Sequence, residues 1–193
     1  MSAELNSVYA GGFQDAPVAA AQAFRAAMTA MARPGEIREI SGATPPAGLS
    51  IAAGSLLLTL CDAETGVHLA GDFDRADLRD WLVFHTGAPL VAAEQADFVL
   101  GDWEALQPLH RFRIGTAEYP DRSATLIVEL PELTNTGAVL RGPGIKDSNH
   151  LSLPALKAFQ DNGLLYPLGL DFFFTCNARV AALPRSTRLS GEG

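Results

Sequence analysis

Residues 166–176 read YPLGLDFFFTC, and this stretch decides the fold. Pro167 fixes its own φ and Gly169 tolerates a positive one, so the segment opens on a turn. Leu170, Phe172, Phe173 and Phe174 then make an unbroken apolar run with Asp171 at its start. Alternation would mark a strand with one wet face, whereas continuity marks a strand covered on both. The run is too short for an ordinary helix, and its aromatic residues favour extended backbone. A second strand, Arg179 to Leu183, follows after Asn177 and Ala178 and is closed by Pro184. The buried strand is thus followed by thiol, amide, guanidinium and hydroxyl groups, from Cys176 and Asn177 to Arg185, Ser186 and Thr187. Loops at the ends of buried strands are where open α/β sheets place their ligands.

Working outward, Ser123 to Leu130 alternates, with Ala124, Leu126, Val128 and Leu130 on one face and Thr125, Ile127 and Glu129 on the other. Val139 to Arg141 reads as a strand running into Gly142-Pro143-Gly144-Ile145. Leu153 to Asn162 reads as an amphipathic helix with Gly163 as its C-cap. Nearer the start, Asp15 caps a helix with Pro17 in its first turn, and Phe24, Met28 and Met31 share one face of it before Arg33-Pro34-Gly35 stops it. Glu36 to Ile40 reads as an edge strand, Leu49 to Ala63 as a buried helix and Val67 to Ala70 as a strand. Asp74 caps a helix through Thr86 in which Leu78, Trp81, Leu82 and His85 share a face. Leu90 to Ala92 and Asp97 to Leu100 read as short strands. Helices and strands in this order make an α/β fold, a three-layer sandwich around a mixed sheet. No linker or repeat divides it, so residues 1–193 form one domain, with 1–14 and 189–193 loosely held and Tyr9 and Phe13 tucked against it.

Of the 193 residues, 48% are apolar and 19% charged, as in a folded globular protein, and the net charge is −8. An acidic surface argues against nucleic-acid binding, which needs a basic face. Of the 14 basic side chains only Lys146 and Lys157 are lysines; the rest are arginine, the better residue for bidentate contacts with phosphate or carboxylate. No signal peptide and no membrane span is read, and Cys61 and Cys176 are expected as buried thiols in a cytoplasmic protein.

Complete catalytic signatures are missing. There is no CxxC, HxxxH, GxSxG, Walker A or full GxGxxG, and the four histidines, 68, 85, 110 and 150, lie far apart. No catalytic residue, metal or cofactor is assigned. The best anion candidate is Arg141-Gly142-Pro143-Gly144-Ile145, where a strand ending in arginine meets a turn able to aim N–H groups at a phosphate. His85 and Thr86, ending their helix, are a second candidate pair. Arg185-Ser186-Thr187-Arg188, two guanidinium groups with hydroxyls between them, is a third, in which Arg185 and Thr187 are the site candidates and Asp62 or Asp171 is available to orient an arginine. Each has a plain structural alternative: a tight turn, a helix cap, an exposed tail.

These blocks together resemble the PhnH family, the H subunit of the bacterial carbon–phosphorus lyase system. The resemblance rests on Phe24-Arg25 through Pro34-Gly35, Phe84 to Leu90, Gly142 to Ile145, Tyr166 to Cys176 and Ala182 to Thr187, in the family's order and over residues 24 to 187. It implies a subunit of a core complex with G, I and J partners, in which a phosphonate displaces adenine from ATP to give a ribose 1-phosphonate 5-triphosphate. The nucleosidase chemistry is attributed to the I subunit. It also implies a fold similar to pyridoxal-phosphate-dependent transferases without the cofactor site, and a homodimer when isolated.

Two alternatives stand beside it. One is an independent pyridoxal-phosphate enzyme using Lys146, which would need an apolar setting for that amine. The other is a regulatory binder of phosphonates or nucleotides through Arg141, Arg185 and the glycine turn. For an interface, Trp103, Ile145, Tyr166 and Phe172 are the apolar candidates.

Overall fold

Phe172 and Phe174 point into one hydrophobic core and Phe173 into another. That is the reason the run is continuous: in a strand, successive side chains leave opposite faces, and here both faces are covered. A computed structural model of the chain describes residues 10–191. The phenylalanine strand is β7 (Asp171–Cys176), and it sits inside a six-stranded sheet with β1 (Arg38–Glu39), β2 (Val67–Leu69), β3 (Phe98–Asp102), β4 (Thr125–Glu129) and β8 (Arg179–Leu183), in the order β1-β8-β7-β4-β3-β2. The run β2, β3, β4, β7 is parallel, while β8 and β1 are added antiparallel, so the sheet is mixed.

On one face lie α1 (Ala16–Ala32), α2 (Ile51–Leu60) and α3 (Ala76–Thr86), which close the core that holds Phe173 and Ile127. On the other lie α4 (Leu156–Gly163) and a small antiparallel sheet of β5 (Ala138–Arg141), β6 (Asn149–Leu151) and β9 (Arg188–Ser190), ordered β6-β5-β9. Phe159 from α4 meets Phe172 and Phe174 edge-on at 4.9 and 5.5 Å between ring centroids. The result is the expected three layers. Asn162 joins two of them: its side-chain amide donates to the Leu170 carbonyl (2.9 Å) and accepts from the Leu170 N–H (2.8 Å). It thereby acts as a strand partner for the residue that leads into β7.

Several local expectations change. In α1 the buried residues are Ala23, Ala27 and Ala30, while Phe24 and Met28 are 50% and 51% exposed. The alanine stripe has the same spacing as the Phe24/Met28/Met31 stripe, one residue earlier. Small side chains let the helix lie close on β8 and α2; Phe24 and Met28 are left outside, while Met31 is half-buried against the core. The cap of α3 is Arg75; Asp74 instead binds Arg79 through both carboxylate oxygens. Leu90 makes a single bridge to Val67 rather than a strand. Gly163 ends α4 as a helical residue without positive φ, and Leu164 is the cap. The last strand, β9, reaches into the stretch read as a loose tail. Phe13 packs on the helical-layer core, and Tyr9 lies outside the described residues.

Candidate functional site

The chain reverses after Cys176 at Asn177, whose φ of 55° is left-handed, and β8 runs back antiparallel to β7. The thiol and amide therefore sit at one end of β7 and Arg185 at the other, beside Asp171. The groups that the sequence presents in one series are split between opposite edges of the sheet.

At the Asp171 edge, Arg185 is fully occupied. Its guanidinium pairs with both oxygens of Asp171, donates to the Pro120 carbonyl (2.8 Å) and to the Ser123 hydroxyl, and reaches the Pro167 carbonyl (3.5 Å). The Arg185 backbone N–H also donates to Asp171 (2.8 Å). Asp171 is thus the orienting carboxylate, while Asp62 holds the turn at Glu64 and Thr65. Arg185 ties the segment after β8 to the loop before β4, and no donor of its guanidinium is left over for a ligand.

Next to this clamp a cleft of about 610 Å³ opens between α4 and β9. It is lined by Pro143 from the glycine turn, by Lys157 and Gln160 from α4, by Tyr166, and by Arg185 to Leu189. The glycine turn reaches it because Gly142 lies against the Ser186 carbonyl, 3.3 Å from where a Cβ would be, at φ +139°. Gly144 has a packing task of its own: at φ +79°, a Cβ there would stand 1.9 Å from the Ala32 carbonyl at the end of α1. Arg141 ends β5 directly opposite Arg188 in β9. The structure therefore brings Arg141, Gly142, Gly144, Arg185 and Thr187 into one neighbourhood.

His85 and Thr86 are elsewhere. His85 lines a different cavity with Gly12, Phe13 and Leu58, its Nε2 lies 3.2 Å from the Ala10 carbonyl, and its ring packs against Trp81 and Phe84. The Thr86 hydroxyl donates to the Leu82 carbonyl and accepts from the Ala88 N–H, which is a helix-end cap.

Residues 11–190 match the model of a family described as bacterial phosphonate metabolism protein, PhnH. This chain belongs to the PhnH family. A curated relative from Rhizobium meliloti (strain 1021), named alpha-D-ribose 1-methylphosphonate 5-triphosphate synthase subunit PhnH, is 37% identical over 97% of this chain and 98% of its own length.

In this PhnH-family chain Lys146 stands exposed in the turn after Gly144, and Lys157 is exposed and paired with Asp161. Neither has the enclosed setting that a Schiff-base lysine requires, so the residues present do not fit a pyridoxal-phosphate site. Among the described residues no group of three or more His, Cys, Asp or Glu is gathered for a metal, and no helix is long and apolar enough to cross a membrane. Of the apolar interface candidates, Phe172 is buried, Trp103 and Ile145 are packed against the core, and only Tyr166 stands out in solvent.

Two polar residues of the PhnH-family chain carry more than their sequence positions suggest. Glu129, at the far end of β4, accepts from the Ser50 N–H (2.7 Å) and the Thr175 hydroxyl (3.0 Å). Burial pushes its carboxyl above the usual range, opposed by those hydrogen bonds. The signal was an acidic residue on an otherwise apolar strand. Arg188 closes the arginine–hydroxyl series after β8, but its neighbour Arg141 comes to it only through sheet register.

Proposed function

We propose that this chain is the H subunit of an alpha-D-ribose 1-methylphosphonate 5-triphosphate synthase complex in phosphonate catabolism. It supports transfer of a phosphonate onto the ribose triphosphate of ATP, with release of adenine, mainly by docking to the G, I and J subunits. In isolation it pairs with a second copy of itself, and it works in the cytoplasm. The fold is read as similar to pyridoxal-phosphate-dependent transferases, with the architecture kept and the cofactor absent. Fold alone does not assign function; the family membership and the named relative support the subunit reading.

The observation that carries docking is the outward face of the helical layer. Val18, Phe24 and Met28 on α1, with Val83 and Phe84 on α3, are each between 44% and 54% exposed. An α1 that buries alanines and presents phenylalanine and methionine to water is suited to being covered by another protein.

The test is co-purification of the native chain with G, I and J, and of a Phe24→Ser/Met28→Ser variant. Both positions are exposed, so the variant should fold within about 0.5 kcal/mol of the parent per site yet fail to assemble. Assembly unchanged by the double substitution would move the docking face elsewhere. A native chain that never recovers its partners under gentle lysis would sink the subunit reading.

A further inference from the structure

Arg141 and Arg188 occupy directly opposed positions on neighbouring antiparallel strands, so their side chains leave the same face of the small sheet. Both are exposed. Neither side chain has an acidic partner or a hydrogen bond among the described residues. Like charges placed opposite one another in a sheet repel and destabilise it. In a chain of net charge −8, with acidic side chains to spare, such a pair is unexpected as surface decoration. Three further observations surround it. Arg188 lines the α4–β9 cleft, whose acidic lining residue, Asp161, is already engaged by Lys157. Thr187, next to Arg188, lines the same cleft and is 5% exposed, and its hydroxyl has no hydrogen-bond partner. A buried hydroxyl left unpaired is costly and calls for a reason. On the opposite lip, Leu164 and Tyr166 are 83% and 63% exposed.

We propose that a phosphoryl- or phosphonyl-bearing small molecule binds at the β9 side of this cleft, its tetrahedral oxyanion between Arg188, which lines the cleft, and Arg141, which stands opposite it on β5 outside the lining, and its body along Leu164 and Tyr166. Two guanidinium forks offer parallel donors to a dianion, and the anion removes the repulsion between them. The Thr187 hydroxyl supplies a donor to the same ligand. Gly142 holds the end of β5 against Ser186. The volume is that of a small-molecule site. A carboxylate would engage one fork; a phosphoryl or phosphonyl group has oxygens enough for both. The assignment is independent of the docking reading, because it concerns the face of the sheet opposite the helical layer.

The test is isothermal calorimetry and thermal denaturation of the full chain in anion-free buffer, with inorganic pyrophosphate, methylphosphonate and ATP as separate probes. At least one probe should release heat and raise the melting temperature, more strongly at low salt. Pyrophosphate or ATP binding alone would assign a phosphoryl ligand, and methylphosphonate binding alone a phosphonyl one. Arg188→Ala and Arg141→Ala should each weaken binding by about tenfold or more, with the lysine substitutions in between. Without anion, both alanine variants should melt at or above the parent temperature, since each relieves the opposed charges. Thr187→Val, which keeps the shape and removes the hydroxyl, should stabilise the free protein and weaken the same probe. Absence of heat and of thermal shift with all three probes at millimolar concentration would overturn the proposal. So would binding unchanged in both arginine variants. Loss of G, I and J co-purification in these variants, with no probe bound by the parent, would overturn it in favour of an acidic partner surface. Phe24→Ser/Met28→Ser should leave probe binding intact, which separates this outcome from failure of the docking face.

Discussion

Arg185→Ala should cost the fold about 3 kcal/mol. The Arg185 and Asp171 side chains are 12% and 22% exposed, so this is a largely buried pair. Removing one partner of a buried pair costs about 3–5 kcal/mol, chiefly because the other charge is stranded. The low end applies here, because Asp171 keeps some solvent and the Arg185 backbone N–H still donates to it. The Pro120 carbonyl and the Ser123 hydroxyl lose their donor as well. At this chain length about 1 kcal/mol lowers the melting temperature by about 2–4 °C, so the variant should melt about 6–12 °C early. The assay is urea denaturation followed by circular dichroism, with Lys157→Ala as the control for an exposed i,i+4 pair. That control should be close to neutral. Replacing both partners together, Asp171→Leu with Arg185→Met, should recover part of the loss, since no charge is then stranded. A loss below about 1 kcal/mol for Arg185→Ala would mean that the clamp behaves as an ordinary surface pair, and the reasoning would fail.

Other outcomes follow from the same geometry. Glu129 has its carboxyl raised by burial, so the folded state holds that proton more tightly than the unfolded chain. Its contribution to stability is complete below the ordinary glutamate range and is lost as pH rises through the raised value. Stability measured across that window should decline, and Glu129→Gln should flatten the decline; an identical pH profile for the variant would contradict it. Cys61 is buried, and desolvation, with Asp62 and Asp97 nearby, pushes its thiol up to about 12. Cys176 is buried too, with its thiol 3.4 Å from the Pro131 carbonyl. Alkylation at mildly alkaline pH should label neither cysteine in the native protein and both in denaturant; rapid native labelling would show the burial to be wrong. Gly144→Ala forces a positive φ on alanine and drives a Cβ into the Ala32 carbonyl, so it should destabilise on the order of 3 kcal/mol. Normal expression and melting of that variant would refute the close approach.

How much was legible depends on what fixes each feature. The phenylalanine run and the Ser123–Leu130 alternation are local patterns that only one kind of backbone satisfies, and β7 and β4 appear where they point. The Asp171–Arg185 pair was readable as an option because both residues flank the same hairpin. The face of α1 was not. Periodicity says which residues lie together, but two stripes of equal spacing lie side by side, and only the narrow gap over β8 selects the alanines. The order of groups after β7 also misleads, because the hairpin at Asn177 sends Cys176 and Arg185 to opposite edges. Arg141 and Arg188 are far apart in the chain and meet by register alone, which no local pattern encodes. Gly142 and Pro143 pointed to a turn, and the turn is there, but what it faces is decided by β9.

The Asn162 amide has one more consequence. It precedes Gly163, and in that dipeptide the glycine nitrogen can attack the side-chain carbonyl carbon and expel ammonia, giving a succinimide that water opens to an aspartate or isoaspartate. Here both ends of the amide are held by Leu170 and the backbone is helical, so the succinimide geometry is out of reach while the helix end stays closed. Chemical ageing at this position therefore records how often α4 lets go of β7, and an acidic isoform accumulating in stored protein would serve as a slow clock of that opening.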